Sequence, residues 1–209
     1  MTSTPASVSG RPLTAKGLAT RARIVASASD LMLKLGVDRT TIDDIQRAAT
    51  VTTSQLYHYF VDKNDLIMAV IDYQTDAVLD VHRTALESVD DFDGLVAWRD
   101  TIVEVLTRQH CVGGCPLGSL ASDLAEVNPR ARAALERSFG AWESLLRQGL
   151  ATMHARGILP PDVDLDRAAL ALLAAVQGGL LLSQTRRDTV ALESAIDFAI
   201  DSLRLRAAA

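Results

Sequence analysis

At 209 residues with 48% hydrophobic content, the chain can build one large or two small domains around a substantial core. Aromatics at 4%, only six prolines and an abundance of Ala, Leu and Val favour an all-helical protein and argue against a sandwich or barrel. The net charge of −5 argues against a uniformly basic nucleic-acid coat, yet residues 1–63 hold eight Lys and Arg against five Asp and Glu, a net +3 on an otherwise acidic chain.

In chain order, residues 1–17 have no apolar run and read as a disordered leader, in which Arg11 and Lys16 are able to follow a phosphate backbone. Ile24, Ala28, Leu31 and Leu35 then fall at helical spacing and form one stripe of a first helix, stopped by Gly36. Three helix starts follow in quick succession. Thr41 with Asp44 has capping-box spacing, Thr52 with Gln55 repeats it, and Asp62 opens a third. Between them fit a short helix over Ile42–Ala49, a turn through Thr50 and Val51, and a second short helix over Thr53–Tyr59. Two short helices joined by a tight turn, the second polar outside Leu56 and Phe60, are the parts of a helix-turn-helix. The second helix can enter a DNA major groove about 12 Å wide.

From Lys63 to about Leu86 the spacing predicts a long helix with Leu66, Val70, Tyr73 and Ala77 on one face, linking the basic head (residues 18–63) to the body (64–209). The Asp90–Asp93 stretch breaks the pattern, which resumes over residues 95–109 with Leu95, Trp98, Ile102 and Leu106. The Cys111-Val-Gly-Gly-Cys115-Pro116 stretch is a second break, followed by a short helix at 119–126 and a long one entered through Asn128-Pro129 and stopped by Gly157. Pro160-Pro161 makes a loop, and two last helices span 164–186 and 189–206. The longest apolar run, 168–182, contains Gln177 and is shorter than the roughly 18 residues a bilayer span needs. With no secretory signal, the expectation is a cytoplasmic protein without a membrane partner.

The last two helices carry more apolar surface than one protomer is expected to bury. Ala168, Leu172, Ala175 and Gly179, with Gly178 beside them, form a small-residue stripe, and Leu192, Ile196, Ala199 and Leu203 form another. These nine residues are candidates for a two-fold interface built as a four-helix bundle; an interior helix pair of one domain is the alternative.

For DNA contact the candidates are Thr41, Thr52, Thr53, Ser54, Gln55, Tyr57, His58, Tyr59 and Lys63. Gln can pair bidentately with adenine, hydroxyls can bond phosphate or base, and Lys63 beside a helix start suits phosphate. A solvated helix face would show the same polarity. Cys111 and Cys115 leave open a redox pair, a metal site short of ligands, or plain packing at a helix junction. His58, His82, His110 and His154 are scattered, and the sequence has no nucleophile elbow, phosphate-cradling glycine loop or metal-binding helix motif. Neither an enzyme nor a cofactor is expected.

Ile42, Ile45, Ala49, Val51, Leu56, Tyr57, Tyr59-Phe60, Lys63 and Leu66 stand where the TetR family of bacterial transcriptional regulators has its signature, a resemblance that covers Arg21–Leu66. Thr50 replaces the family's usual turn glycine, and Gln46 a small residue. The resemblance implies a homodimer joined through its last two helices, a DNA operator and a small-molecule effector. The segments GCPLGSLASDLAE and AVQGGLLLSQTRRD, with Phe139 and Trp142 between them, resemble repressors of the lincomycin- and flavonoid-responsive type. That implies an effector pocket for which Trp98, Ile102, Leu120, Leu124, Phe139, Trp142 and Gln177 are candidates, each also an ordinary core residue by spacing. The expected function is an effector-released repressor; an activator, or a helical interaction module without operator binding, is the alternative.

Overall fold

The computed structural model describes Val8 and residues 12–207. Among them run nine helices and no strand: α1 (Ala15–Leu35), α2 (Ile42–Ala49), α3 (Thr53–Tyr59), α4 (Lys63–Leu86), α5 (Phe92–Arg108), α6 (Pro116–Leu124), α7 (Pro129–Ala155), α8 (Leu165–Arg186) and α9 (Val190–Ala207). The all-helical expectation is borne out. Of the leader, residues 1–7 and 9–11, Arg11 included, lie outside the described residues. Ala15, Lys16 and Gly17 were expected in that leader but form the first turn of α1, because the Thr14 hydroxyl accepts the Gly17 N–H and supplies an N-cap. The predicted start of α6 is also displaced: the helix begins at Pro116, a residue that suits a first turn because its missing N–H has no helical partner to lose.

The chain divides into two compact units, Met1–Asp76 with Ser119–Leu135, and Ala77–Gly118 with Glu136–Ala209. In the first, Ile24, Val25, Ala28 and Met32 of α1 are buried, as are Ile45 and Ala49 of α2, Leu56 of α3, and Phe60. This unit extends beyond the predicted head of residues 18–63. The Val37 N–H donates to the Asp123 carboxylate at 2.9 Å, and the Asn128 amide donates to Asn64 at 3.2 Å. On α4, Tyr73 and Ala77 were expected inside yet are exposed. Gln74 takes the buried position instead, because its amide finds the Ser29 hydroxyl at 2.6 Å.

In the second unit α8 and α9 form a helical hairpin. A Cβ on Gly179 would lie 2.7 Å from the Leu192 Cα, so only glycine allows the two backbones to approach this closely. The Leu192 N–H donates to the Ser183 hydroxyl at 3.2 Å, and Arg99 of α5 pairs with Asp197 of α9 at 3.2 Å. By length and composition α8 is apolar enough to cross a membrane, with mean hydropathy 1.5 over its best window. Its Ala169, Leu172, Leu173, Val176, Gly179, Leu180 and Ser183 are buried in protein, and packing accounts for that face.

Candidate functional site

The α2–α3 motif is built from caps. The Thr41 hydroxyl accepts the Asp44 N–H, and the Asp44 carboxylate accepts the Thr41 N–H and hydroxyl at 3.2 and 2.6 Å. The Thr41 hydroxyl and N–H, then Arg47, hold the Asp44 carboxyl below its ordinary pKa. The same box recurs at α3: the Gln55 N–H reaches the Thr52 hydroxyl at 3.2 Å, and the Thr52 N–H reaches the Gln55 Oε1 at 2.9 Å. Between them Thr50 sits at φ 52°, ψ 54°, the left-handed conformation that glycine ordinarily fills. The Val51 N–H closes the turn on the Gln46 carbonyl at 3.1 Å, and Arg23 donates to the Ala49 carbonyl at 2.9 Å. α4 starts on Asp62, whose carboxylate accepts the Asp65 N–H at 2.8 Å.

This frame exposes Thr41, Thr52, Thr53, Ser54, Gln55, Tyr57 and His58, leaves Tyr59 half-buried, and buries Leu56 and Phe60 beneath them. The His58 carbonyl accepts the Val8 N–H at 3.1 Å, and its ring meets Tyr59 edge-on at 4.9 Å. Lys63 is positioned differently from the phosphate role its sequence position suggested: its ammonium is half-buried and donates to the Val37 carbonyl at 2.7 Å. The long flexible stem lets it tie the loop after α1 to the start of α4.

Sequence reasoning passed over Gln46 and Arg47. Both line an open groove with Asp43, Thr50, Val51, Thr52 and Gln55 beside the start of α3. The Thr53 hydroxyl donates to Gln46 Oε1 at 3.2 Å, and Arg47 pairs with Asp44. The only hint was that Gln46 departs from a small residue. Arg21, at 5.0 Å from the Phe60 ring centroid, completes the cationic frame.

The expected effector residues fall into different units: Leu120 and Leu124 in the first, and Trp98, Ile102, Phe139, Trp142 and Gln177 in the second. Trp98 and Trp142 are fully buried, and His82 joins them. The Trp98 indole donates to His82 Nδ1 at 3.0 Å, and the Trp142 ring lies 4.1 Å from the imidazole. Burial pushes the His82 pKa down to about 4, so the ring is neutral at pH 7 and free to accept. The Trp142 Nε1 donor is buried with no acceptor, and the Gln177 side chain lies against the Cys115 thiol. No sequence spacing announced His82, since its partners come from α5 and α7. Cys111 and Cys115 are both buried free thiols, and burial pushes the Cys115 thiol up, away from the reactive thiolate.

The structure corrects the interface stripe. Leu172, Gly179, Leu192, Ile196 and Leu203 are buried within the protomer, where they hold α8 to α9. Ala168, Ala175 and Ala199 are half-buried and Gly178 is exposed. The apolar residues left uncovered are Leu170, Leu181 and Leu182 on α8 and Val190, Phe198 and Leu205 on α9, with Phe198 79% exposed. Ala168, Leu172, Ala175, Phe198, Ala199 and Leu203 line a groove along the hairpin.

Comparison with known proteins agrees with this architecture. Residues 24–70 match the family model described as bacterial regulatory proteins, tetR family, and residues 92–199 match the tetracyclin repressor-like C-terminal domain. The chain is 31% identical over 199 residues to the HTH-type transcriptional regulator TtgR of Pseudomonas putida, an alignment covering 89% of this chain and 92% of that protein. A TetR transcriptional regulator from Chloroflexus aurantiacus superposes with a TM-score of 0.77 at 28% identity, covering 90% of this chain and 96% of that one. The regulatory protein TetR from Rhodobacter sphaeroides, at 22% identity and TM-score 0.77, covers 87% and 97% and shares the fold.

Proposed function

The chain belongs to the TetR family of bacterial regulatory proteins, and from that premise we propose a homodimeric transcriptional repressor that a small apolar or aromatic effector releases from a palindromic DNA operator. It is a DNA-binding transcriptional regulator rather than an enzyme. The observation that carries the operator reading is the α2–α3 frame: two capped helices that leave Thr52, Thr53, Ser54, Gln55, Tyr57 and His58 exposed over a buried Leu56 and Phe60. In a dimer, two such helices must meet successive major grooves, about 34–36 Å apart. Thr41 and Tyr59 flank the reading surface, and Lys63 supports it by fixing the loop after α1.

A second copy covers the uncovered stripe of Leu170, Gly178, Leu181, Phe198 and Leu205, giving a four-helix bundle. The half-buried Ala168, Ala175 and Ala199 border it, and the five buried stripe residues support it from inside. The buried Trp98–His82–Trp142 cluster, with an unpaired donor on Trp142, favours a flat, neutral effector bearing a hydrogen-bond acceptor, and Gln177 is a further candidate to orient it. That chemistry agrees with the resemblance to the lincomycin- and flavonoid-responsive type. Release follows if the effector prefers the DNA-incompetent arrangement, and α4, continuous from Lys63 to Leu86, is the element whose equilibrium it biases. The site of action is the cytoplasm, where the DNA lies.

Selection of bound fragments from a random duplex pool tests the operator reading: an enriched palindrome is expected, and no enrichment overturns it. Gly178→Leu tests the interface, because a side chain there meets nothing within the protomer. Sedimentation should show a folded monomer, and a variant still dimeric at micromolar concentration places the interface elsewhere. For the effector, a compound that quenches tryptophan fluorescence should weaken operator binding in parallel, with Trp142→Phe losing the response and keeping the DNA.

A further inference from the structure

Gln55 is exposed on the third residue of α3, where its sequence position suggests the two-pronged pairing of a glutamine with adenine. That pairing needs the amide oxygen and the amide N–H together. Here the oxygen is already engaged: Oε1 accepts the Thr52 backbone N–H at 2.9 Å and lies 3.4 Å from the Thr52 hydroxyl. The orientation of the amide is fixed by this bond, since a backbone N–H must meet oxygen and cannot meet the NH2 end. Thr52 is equally committed, its hydroxyl accepting the Gln55 N–H at 3.2 Å. Thr53 is turned onto Gln46 of α2 at 3.2 Å. What remains on Gln55 for a partner is Nε2, a donor that meets no acceptor among the described residues.

Resting on the operator reading above, we propose that Gln55 is a donor-only reader that selects guanine and discriminates against adenine and cytosine at one position of each operator half-site. In the major groove guanine presents two acceptors side by side, N7 and O6, and no donor. Adenine sets a donor beside its acceptor; with one Oε1 lone pair held by the Thr52 N–H and the other turned to the Thr52 hydroxyl, satisfying that donor would displace the hydroxyl, exchanging one hydrogen bond for another. Cytosine offers only its N4 donor, which faces the Nε2 donor. Thymine offers a single acceptor, O4, with its methyl group alongside.

Substitution by glutamate inverts this code and keeps the fold. Glu is the usual residue at this position of a capping box, so one carboxylate oxygen continues to hold the Thr52 N–H. The other becomes an acceptor where the NH2 stood, matched to cytosine N4. The experiment is selection from a random duplex pool with the full-length wild type, Gln55→Glu and Gln55→Ala, followed by titration of four operators that differ only at the responding base pair. We expect the wild type to prefer guanine over adenine about tenfold there, as one good base contact supports. Gln55→Glu should bind more weakly overall and move the preference to cytosine at that position, with every other position unchanged. Gln55→Ala should flatten that position alone. A wild-type preference for adenine there overturns the proposal, as does a glutamate variant whose preferred site equals that of the wild type. Either variant is enough to locate the responding base pair, so the four-operator titration of the wild type decides the matter even if the other variant fails to fold. A wild-type pool with no enriched site overturns the operator reading itself and takes this proposal with it.

Discussion

In α2 and α3 each helix start is fixed by a side chain that bonds three residues along, Thr41 with Asp44 and Thr52 with Gln55. The α8–α9 hairpin is held by contact across the chain instead, with Gly179 against the Leu192 backbone and Ser183 accepting the Leu192 N–H. The first arrangement leaves its polar groups on the surface with their directions fixed, as a reading surface needs. The second spends its best apolar residues inside the protomer and shows a different stripe to the outside. A polar surface can thus be ordered by local bonds, while an apolar one is defined by what its neighbours leave uncovered.

The largest expected effect comes from the buried cluster of the second unit. The folded His82 pKa, about 4, lies below the usual histidine value, so the unfolded chain takes up a proton that the fold excludes. Stability from this group is complete above pH 6.5 or so, falls as the pH drops towards 4, and changes no further below that. The loss should approach about 3 kcal/mol, read from urea midpoints against pH, and His82→Gln, which keeps an acceptor for Trp98, should remove that slope. Next, Gly179→Ala should destabilise by about 2 kcal/mol, because the new methyl group meets the Leu192 backbone rather than a side chain able to turn aside. The same substitution at Gly178, which faces open space, should not destabilise the isolated protomer, so matched thermal melts separate packing from helix propensity.

The head should respond on a smaller scale. Thr52→Ala removes the hydroxyl that caps α3 and should cost about 1 kcal/mol, with operator affinity falling further than the stability loss alone accounts for. Equal affinity in that variant would separate cap from reading surface. Smallest, and opposite in sign, Thr50→Gly should stabilise by about 0.5–1 kcal/mol, since Thr50 holds a left-handed backbone at φ 52°. A lower melting temperature would mean that the threonine side chain contributes contacts that outweigh its backbone strain.

The caps at Thr41 and Thr52, the boundaries of α2 and α3, and the polar exposure of Thr53, Ser54 and Gln55 were legible in the sequence because each depends on residues within one helical turn. The long helices were legible for the same reason, through periodicity. The inward side was legible on α5, where Leu95, Trp98, Ile102 and Leu106 are buried as their spacing predicts, and was not on α4, α8 and α9. The α4 pattern admits Tyr73 or Gln74, and Ser29, 45 residues away, decides for Gln74. The small-residue stripe of α8 and α9 reads equally as internal packing or as an interface, and only the hairpin geometry sends Leu192 and Ile196 inward and leaves Phe198 out. Lys63 and His82 took roles set by Val37 and Trp98, neither within a turn of them. Local hydrogen bonds and helical period are properties of short stretches of chain and can be read from them, whereas burial depends on which distant surface arrives. That assignment belongs to the tertiary structure.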